Sequence, residues 1–271
     1  LIVNNFKPLL LLVVCARRME VRRRAEYGTT TSASNPSTFS CKTPAFDRTM
    51  KSEEMLSKPI STVQTYCIRA VHFLCICAAI GVYTWANMSK DLKGLGGLYN
   101  GSASSFAWHP VLMVWGMVIC YAEAMLSYRA FPLGKATNKI IHLVLQTLAT
   151  FFICMGLYAV FKNHNDGLVA NLYSLHSWLG IATVVLFFHQ WVLGFAAFWL
   201  GAASPETKKA YLPVHVYLGV LTFFSAIITV ESGITEKLAW LGCGYKVTEP
   251  DYNPASHYDL IPAGCKVANW L

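Results

Sequence analysis

Four of the eight histidines, His109, His142, His176 and His215, each stand near the start of a separate apolar stretch. An ionisable ring in a segment bound for lipid is costly, so such a residue suggests a functional site by default. Consecutive membrane spans run in opposite directions, and their starting ends alternate between the two faces. His109 and His176 therefore share one layer, and His142 and His215 the other. Two imidazoles facing each other across a helical bundle suit axial ligation of one haem iron, because bundles place cofactors between facing helices. Zinc would take four N or S ligands, and neither layer supplies two more. A lone intramembrane histidine serves equally well as a hydrogen-bonded packing residue, but four at matched depths are harder to assign to packing. With both axial sites filled by protein, neither iron keeps an open position, which favours electron carriage over ligand chemistry.

Gly180 follows His176 by four residues and Gly219 follows His215 by four, so each lies on its histidine's face one turn deeper. A missing side chain there would let a flat macrocycle approach, and close helix packing is the equal alternative. His189 falls about 220° round from His176 at 100° per residue, off the same seam. His72 has no partner at its depth, and His164 and His257 fall in loops.

The elements that must position these rings are membrane helices. The chain is 55% apolar and 13% charged, with a mean hydropathy of +0.42, against roughly 25% charged residues in soluble domains. A span needs about 20 mostly apolar residues, and residues 66–87, 108–127, 140–161, 172–198 and 213–232 meet that. Basic residues gather in two of the short links, Arg129, Lys135 and Lys139 in one and Lys208 and Lys209 in another. Basic loops stay cytoplasmic, so these two links and the N-terminus are expected inside. The formal charge of +8 resides largely in these loops and the N-terminal tail, where it faces anionic lipid rather than nucleic acid. Residues 1–60 read as a disordered basic tail and 61–271 as one helical membrane domain. The opening Leu suggests that translation starts at Met19, Met50 or Met55. Cys243 and Cys265 both fall on the outer side, where a disulfide can form, and the other seven cysteines have no metal-ligand spacing.

Taken together, four histidines spaced 33, 34 and 39 apart, "YR" closing the second span, "KATNKIIH" opening the third, "FKNHN" followed by "NLYSLHSW", and "LPVH" opening the fifth resemble the cytochrome b-561 family. The resemblance covers about residues 65–270. It implies an all-α membrane protein of antiparallel helices with a four-helix di-haem core in spans two to five. It also implies two haem b groups, a homodimer, and electron transfer from cytoplasmic ascorbate to monodehydroascorbate or ferric iron on the opposite side. An endomembrane vesicle, the lysosome or the plasma membrane would house it. The family's sixth helix is expected to be missing, since "AGCKVANWL" stops about where it would begin.

Residue by residue, the resemblance implies that His109 and His176 ligate the outer haem while His142 and His215 ligate the inner one. Arg129 matches a residue contacting the inner haem, where a guanidinium opposite a propionate is sound chemistry. Lys135, Lys139 and Lys208 match positions around cytoplasmic ascorbate, Lys208 being a point charge in place of a relative's bidentate arginine. Asn171, Leu172, Tyr173, Ser174 and Glu236 match residues beside the outer haem, and Lys162 and His164 stand where some relatives bind the outer substrate. Three function classes remain open: an ascorbate-linked transmembrane oxidoreductase, a histidine-lined proton or metal transporter, and a structural haem protein or haem store. A transporter would need polar residues along one pathway, yet the mid-spans are apolar apart from Glu123 and Gln146.

Overall fold

The structure, a computed structural model, describes residues 61–99, 105–131, 133–243 and 261–271. The tail expected to be disordered, and His257, lie outside the described residues. Five helices among the described residues are long and apolar enough to cross a membrane: α1 Thr62–Asn87, α2 Ser105–Ala130, α3 Lys135–Asp166, α4 Leu175–Trp199 and α5 Pro205–Trp240. A short α6, Ala263–Trp270, follows. No strand occurs among the described residues, as expected of an all-α fold.

Three of the helices, α1, α4 and α5, start at a serine whose side chain caps the first turn. Ser61 accepts from the Gln64 backbone while the Gln64 side chain returns to the Ser61 backbone, a reciprocal pair that satisfies two otherwise orphaned amides at the head of α1. Ser174 accepts from the Ser177 amide at 3.2 Å, which starts α4 at Leu175 rather than at residue 172. Ser204 caps α5, and Pro205 occupies the first turn, where its missing N–H costs nothing. The third and fifth helices begin well before their apolar cores. Pro213 reads as a helix start in sequence, but α5 runs through it, because a helix in a packed membrane bundle tolerates an interior proline. His142 and His215 are therefore two to three turns inside their helices.

The bundle is built from two pairs, α2 against α3 and α4 against α5, with α1 covering α2. In the apolar window of α2 67% of residues are buried, against 17–28% in the other four, so α2 is the central helix. Its apolar residues Val114, Met117, Val118 and Ala122 are buried, and Gly116 packs its backbone against the Ala149 carbonyl of α3. Phe73, Ile76 and Ile80 of α1 are exposed, which in a membrane is the lipid face. Residues Val114–Cys120 of α2 wind as π-helix, a register shift common near functional sites. Around the bundle's mid-height the Tyr121 ring packs on Phe187 and Phe223 with centroids 5.7 Å away in each case, and its hydroxyl donates to the Gly219 carbonyl at 2.9 Å.

His72 is not alone at its depth: its Nδ1 lies 2.7 Å from Glu123 Oε1, joining α1 to α2. An acid and a base within membrane spans satisfy one another more cheaply than either does alone. Cys243, just past α5, is disulfide-bonded to Cys265 of α6, so the two cysteines expected to share one side do pair. That bond and the packing of α6 on α1 tie the C-terminal residues to the same end of the bundle as Asn87, Ser105 and Leu175. We call this the disulfide end and the opposite one the Arg129 end.

Candidate haem-binding layers

The four histidines meet in the two layers expected of them. His109 of α2 and His176 of α4 face each other with ring centroids 6.2 Å apart, and His142 of α3 and His215 of α5 with centroids 6.4 Å apart. Ring contacts cross between the helix pairs, whereas the hydrogen bonds that aim the rings run within them. His109 Nδ1 donates to the Gly156 carbonyl of α3 at 3.0 Å, and His142 Nδ1 donates to Ala124 of α2 at 2.8 Å. His176 Nδ1 donates to Thr229 of α5 at 2.9 Å. A carbonyl only accepts, so each of these rings carries its proton on Nδ1 and presents a bare Nε2. A histidine metal ligand is commonly oriented by this kind of bond.

The separation suits one iron between two rings. With metal–imidazole bonds of about 2.0–2.1 Å on both sides, the ring centroids stand about 6 Å apart. Each layer has two histidines, and no cluster of three or more His, Cys, Asp or Glu occurs among the described residues, which fits a macrocyclic metal and not zinc. Glycine also makes room for two of the rings themselves. A Cβ on Gly233 would lie 2.6 Å from His176 Cε1, and one on Gly194 would lie 2.9 Å from His215 Cε1. Gly180 lines the disulfide-end cavity, and Gly219 receives the Tyr121 hydroxyl instead. Around the Arg129-end layer, Gln190 is buried with no partner for either side-chain polar atom, and Trp191 Nε1 and the Tyr211 hydroxyl also lack one. A bound group with polar edges would satisfy such atoms. The residues present therefore fit haem in both layers.

Gly233 and Gly194 were missed because each sits on the helix opposite its histidine, a relation that depends on interhelical register and leaves no spacing in the sequence. Valine at Gly233 is expected to lower haem occupancy in the disulfide-end layer, and valine at Gly194 in the other, through displacement of His176 or His215. Difference spectra of the purified variants would check this, since a general packing defect would lower both layers together.

At the disulfide end, one cavity reaches His109 and His176 and is also lined by Asn171, Leu172, Tyr173 and Glu236. Leu172 adopts φ 56°, a turn that brings its neighbours round to the cavity at the head of α4. The Tyr173 hydroxyl donates to Glu236 at 2.7 Å, linking that turn to α5. Burial and this bond hold the phenol above its usual range, so it remains a donor. Ser174 is committed to capping α4. Asn171 Oδ1 accepts from His164 Nδ1 at 3.2 Å and its Nδ2 donates to Asn165 Oδ1 at 3.0 Å; His164, which lies in the last turn of α3 and not in a loop, also lines the cavity. Lys162 instead pairs with Asp166 at 2.7 Å on the exposed surface.

The Arg129 end gathers the remaining candidates by topology. Arg129 is in the last turn of α2, Lys135 and Lys139 are in the first two turns of α3, and Lys208 is near the head of α5. Lys139 Nζ lies 5.3 Å above the Trp199 ring, which joins the start of α3 to the end of α4.

A model of the eukaryotic cytochrome b561 family matches residues 108–241, a span that includes all four histidines. The chain is 42% identical over 173 residues to ascorbate-specific transmembrane electron transporter 2 of Zea mays, covering 64% of this chain and 72% of that one. It is 39% identical over 173 residues to transmembrane ascorbate ferrireductase 1 of Arabidopsis thaliana, with the same coverage of 64% and 72%. A lysosomal membrane ascorbate-dependent ferrireductase of Danio rerio is 38% identical over 208 residues, covering 74% of this chain and 80% of its own.

Proposed function

The chain belongs to the cytochrome b561 family, and from that premise we propose that it passes electrons from cytoplasmic ascorbate through two b-type haems to ferric iron or monodehydroascorbate on the opposite side. The observation that carries this reading is the pair of facing-histidine layers, with centroids 6.2 and 6.4 Å apart. The reading makes the chain an ascorbate-linked transmembrane oxidoreductase. Each haem, when bound, supplies a one-electron iron couple with both axial positions filled by protein.

The chain's own residues have the following roles. His109 and His176 would hold the haem at the disulfide end, and His142 and His215 the one at the Arg129 end. The carbonyls of Gly156, Ala124 and Thr229 keep three of these rings in one tautomer and orientation. Arg129 would meet a haem carboxylate. Lys135, Lys139 and Lys208 would draw ascorbate, an anion at neutral pH, to the cytoplasmic face. Asn171, Leu172, Tyr173, Ser174 and Glu236 would shape the outer site, with Lys162 and His164 beside the outer acceptor. On three helices the two layers are fourteen or fifteen residues apart, as between His142 and Gly156 or His109 and Ala124, which is about 21–22 Å at 1.5 Å per residue. The Tyr121, Phe187 and Phe223 rings between them are at most 3% exposed. An electron can cross such a dry partition, but a proton or metal ion cannot pass without polar partners, so the transporter reading loses support.

The test is vectorial. Vesicles loaded with ferric citrate and a ferrous-specific chromophoric chelator, with the Arg129 end outward, should colour when ascorbate is added outside. Colour formed only when ascorbate is inside, or none with haem-loaded protein, would overturn the proposed direction or the reaction itself.

A further inference from the structure

We propose that Lys237, Lys90 and Lys93 form a carboxylate-binding lip on the disulfide-end cavity, which receives ferric iron as an anionic chelate. This deepens the electron-transfer reading by naming the chemical form of the acceptor. Lys237 is half-buried in the last turn of α5 and lines the same cavity as His109 and His176. Its Nζ lies 4.0 Å from the centre of the Phe106 ring. No carboxylate among the described residues forms an ion pair with it. Its neighbour Glu236 takes the Tyr173 hydroxyl at 2.7 Å, and Asp166 is paired with Lys162 at 2.7 Å. An ammonium withdrawn from water is costly unless an anion meets it, and an aromatic face compensates only partly.

Two further lysines reinforce the positive field. Lys90 stands on the turn that follows α1 at this end of the bundle, and like charges gathered there repel one another, a repulsion that a shared anion would relieve. Lys93 follows the turn Lys90–Leu92 in the left-handed conformation, φ 61°. Its Nζ lies 3.9 Å from where a Cβ on Gly242 would stand, just past the end of α5. The turn is anchored: Trp85 Nε1 donates to the Lys93 carbonyl at 3.4 Å, and Gly264 of the disulfide-tethered α6 packs on the backbone of Leu92 and Lys93. Asp91 on the same turn and Glu236 subtract from the field, and the three ammonium groups outnumber them.

This arrangement suits a small anion with several carboxylates. Ammonium groups on flexible stems are point charges that accept many anion shapes, unlike the fixed fork of arginine. A ferric polycarboxylate chelate provides both the negative charge and the oxidant. One electron leaves the reduced protein and takes the chelated iron from ferric to ferrous, with no bond made to the protein and no proton transferred.

The experiment compares acceptors of opposite charge. Protein in nanodiscs, reduced with dithionite and freed of it, would be mixed in stopped flow with ferric citrate or with hexaammineruthenium(III). In Lys90→Gln/Lys93→Gln the second-order rate constant for ferric citrate should fall about tenfold, since charged rims change encounter rates by about 10–1,000-fold. The rate for the cationic acceptor should stay the same or rise, and 0.5 M salt should shrink the contrast. Lys237→Met should show the same preference for the cation, with both haem components retained. Equal loss toward both acceptors in Lys237→Met, as for a lysine serving a haem carboxylate, would overturn the proposal. So would an unchanged ferric citrate rate in the double variant. A parallel sample that ascorbate fails to reduce would count against the electron-transfer reading and not against the lip.

Discussion

Replacing His109 or His176 with alanine should abolish one b-type component of the optical spectrum and leave the other, and replacing His142 or His215 should do the converse. The expectation follows from which rings face which: His109 meets His176 and His142 meets His215, with centroids 6.2 and 6.4 Å apart. On the proposed ligation, alanine removes one of two axial nitrogens and leaves the partner's Nε2 unopposed, so the affected layer should lose nearly all of its haem. The other layer is about 21 Å away along α3. Its occupancy should fall little, because sites so far apart are nearly independent. The component lost with His142 or His215 should be the one that ascorbate reduces first from the cytoplasmic side. The pairing by depth would be wrong if His109→Ala and His142→Ala removed the same component.

Neutralising Lys135 and Lys139 together should raise the half-saturating ascorbate concentration without displacing either haem. The two residues are four apart at the head of α3, so they project to one face about a turn from each other. Lys139 is held over Trp199 at 5.3 Å, while Lys135 is exposed at the first helical position. Charge-assisted contacts to one anion at such a partly wet surface are worth about 1–3 kcal/mol in total, the exposed lysine pulling the sum toward the lower end. That corresponds to roughly 5- to 150-fold in concentration. High salt should partly mimic the substitution, since exposed charges are screened over about a Debye length. The ascorbate dependence of haem reduction in proteoliposomes, wild type against Lys135→Gln/Lys139→Gln, is the measurement. An unchanged half-saturation with both haems present would reduce these lysines to determinants of membrane orientation.

Particular residues show what the sequence makes legible. The five spans and the two histidine layers could be read because both depend on periodicity and direction alone: about 20 apolar residues cross a bilayer, and alternate spans run opposite ways. Helix ends were harder. Polar first turns extend α3 and α5 beyond their apolar cores, that of α5 capped by Ser204, and Pro213 looks like a start when it lies inside a helix. Relations between helices left the least trace. His72 reads as partnerless in the sequence because its partner, Glu123, is fifty-one residues away on α2, and the rotation of α1 against α2 decides whether they meet. Gly233, Gly194 and Lys237 became visible only once α5 was set against α2 and α4. Of the glycines chosen from the sequence, Gly180 lines the disulfide-end cavity and Gly219 serves a helix contact through its carbonyl.

The most direct test of the central claim is the haem content and ascorbate response of the full chain expressed with haem supply and purified in nanodiscs. The account predicts close to two b-type haems per chain, both reduced by ascorbate with no other enzyme added. A haem-to-chain ratio near zero in folded protein, or two haems that ascorbate leaves oxidised, would contradict it.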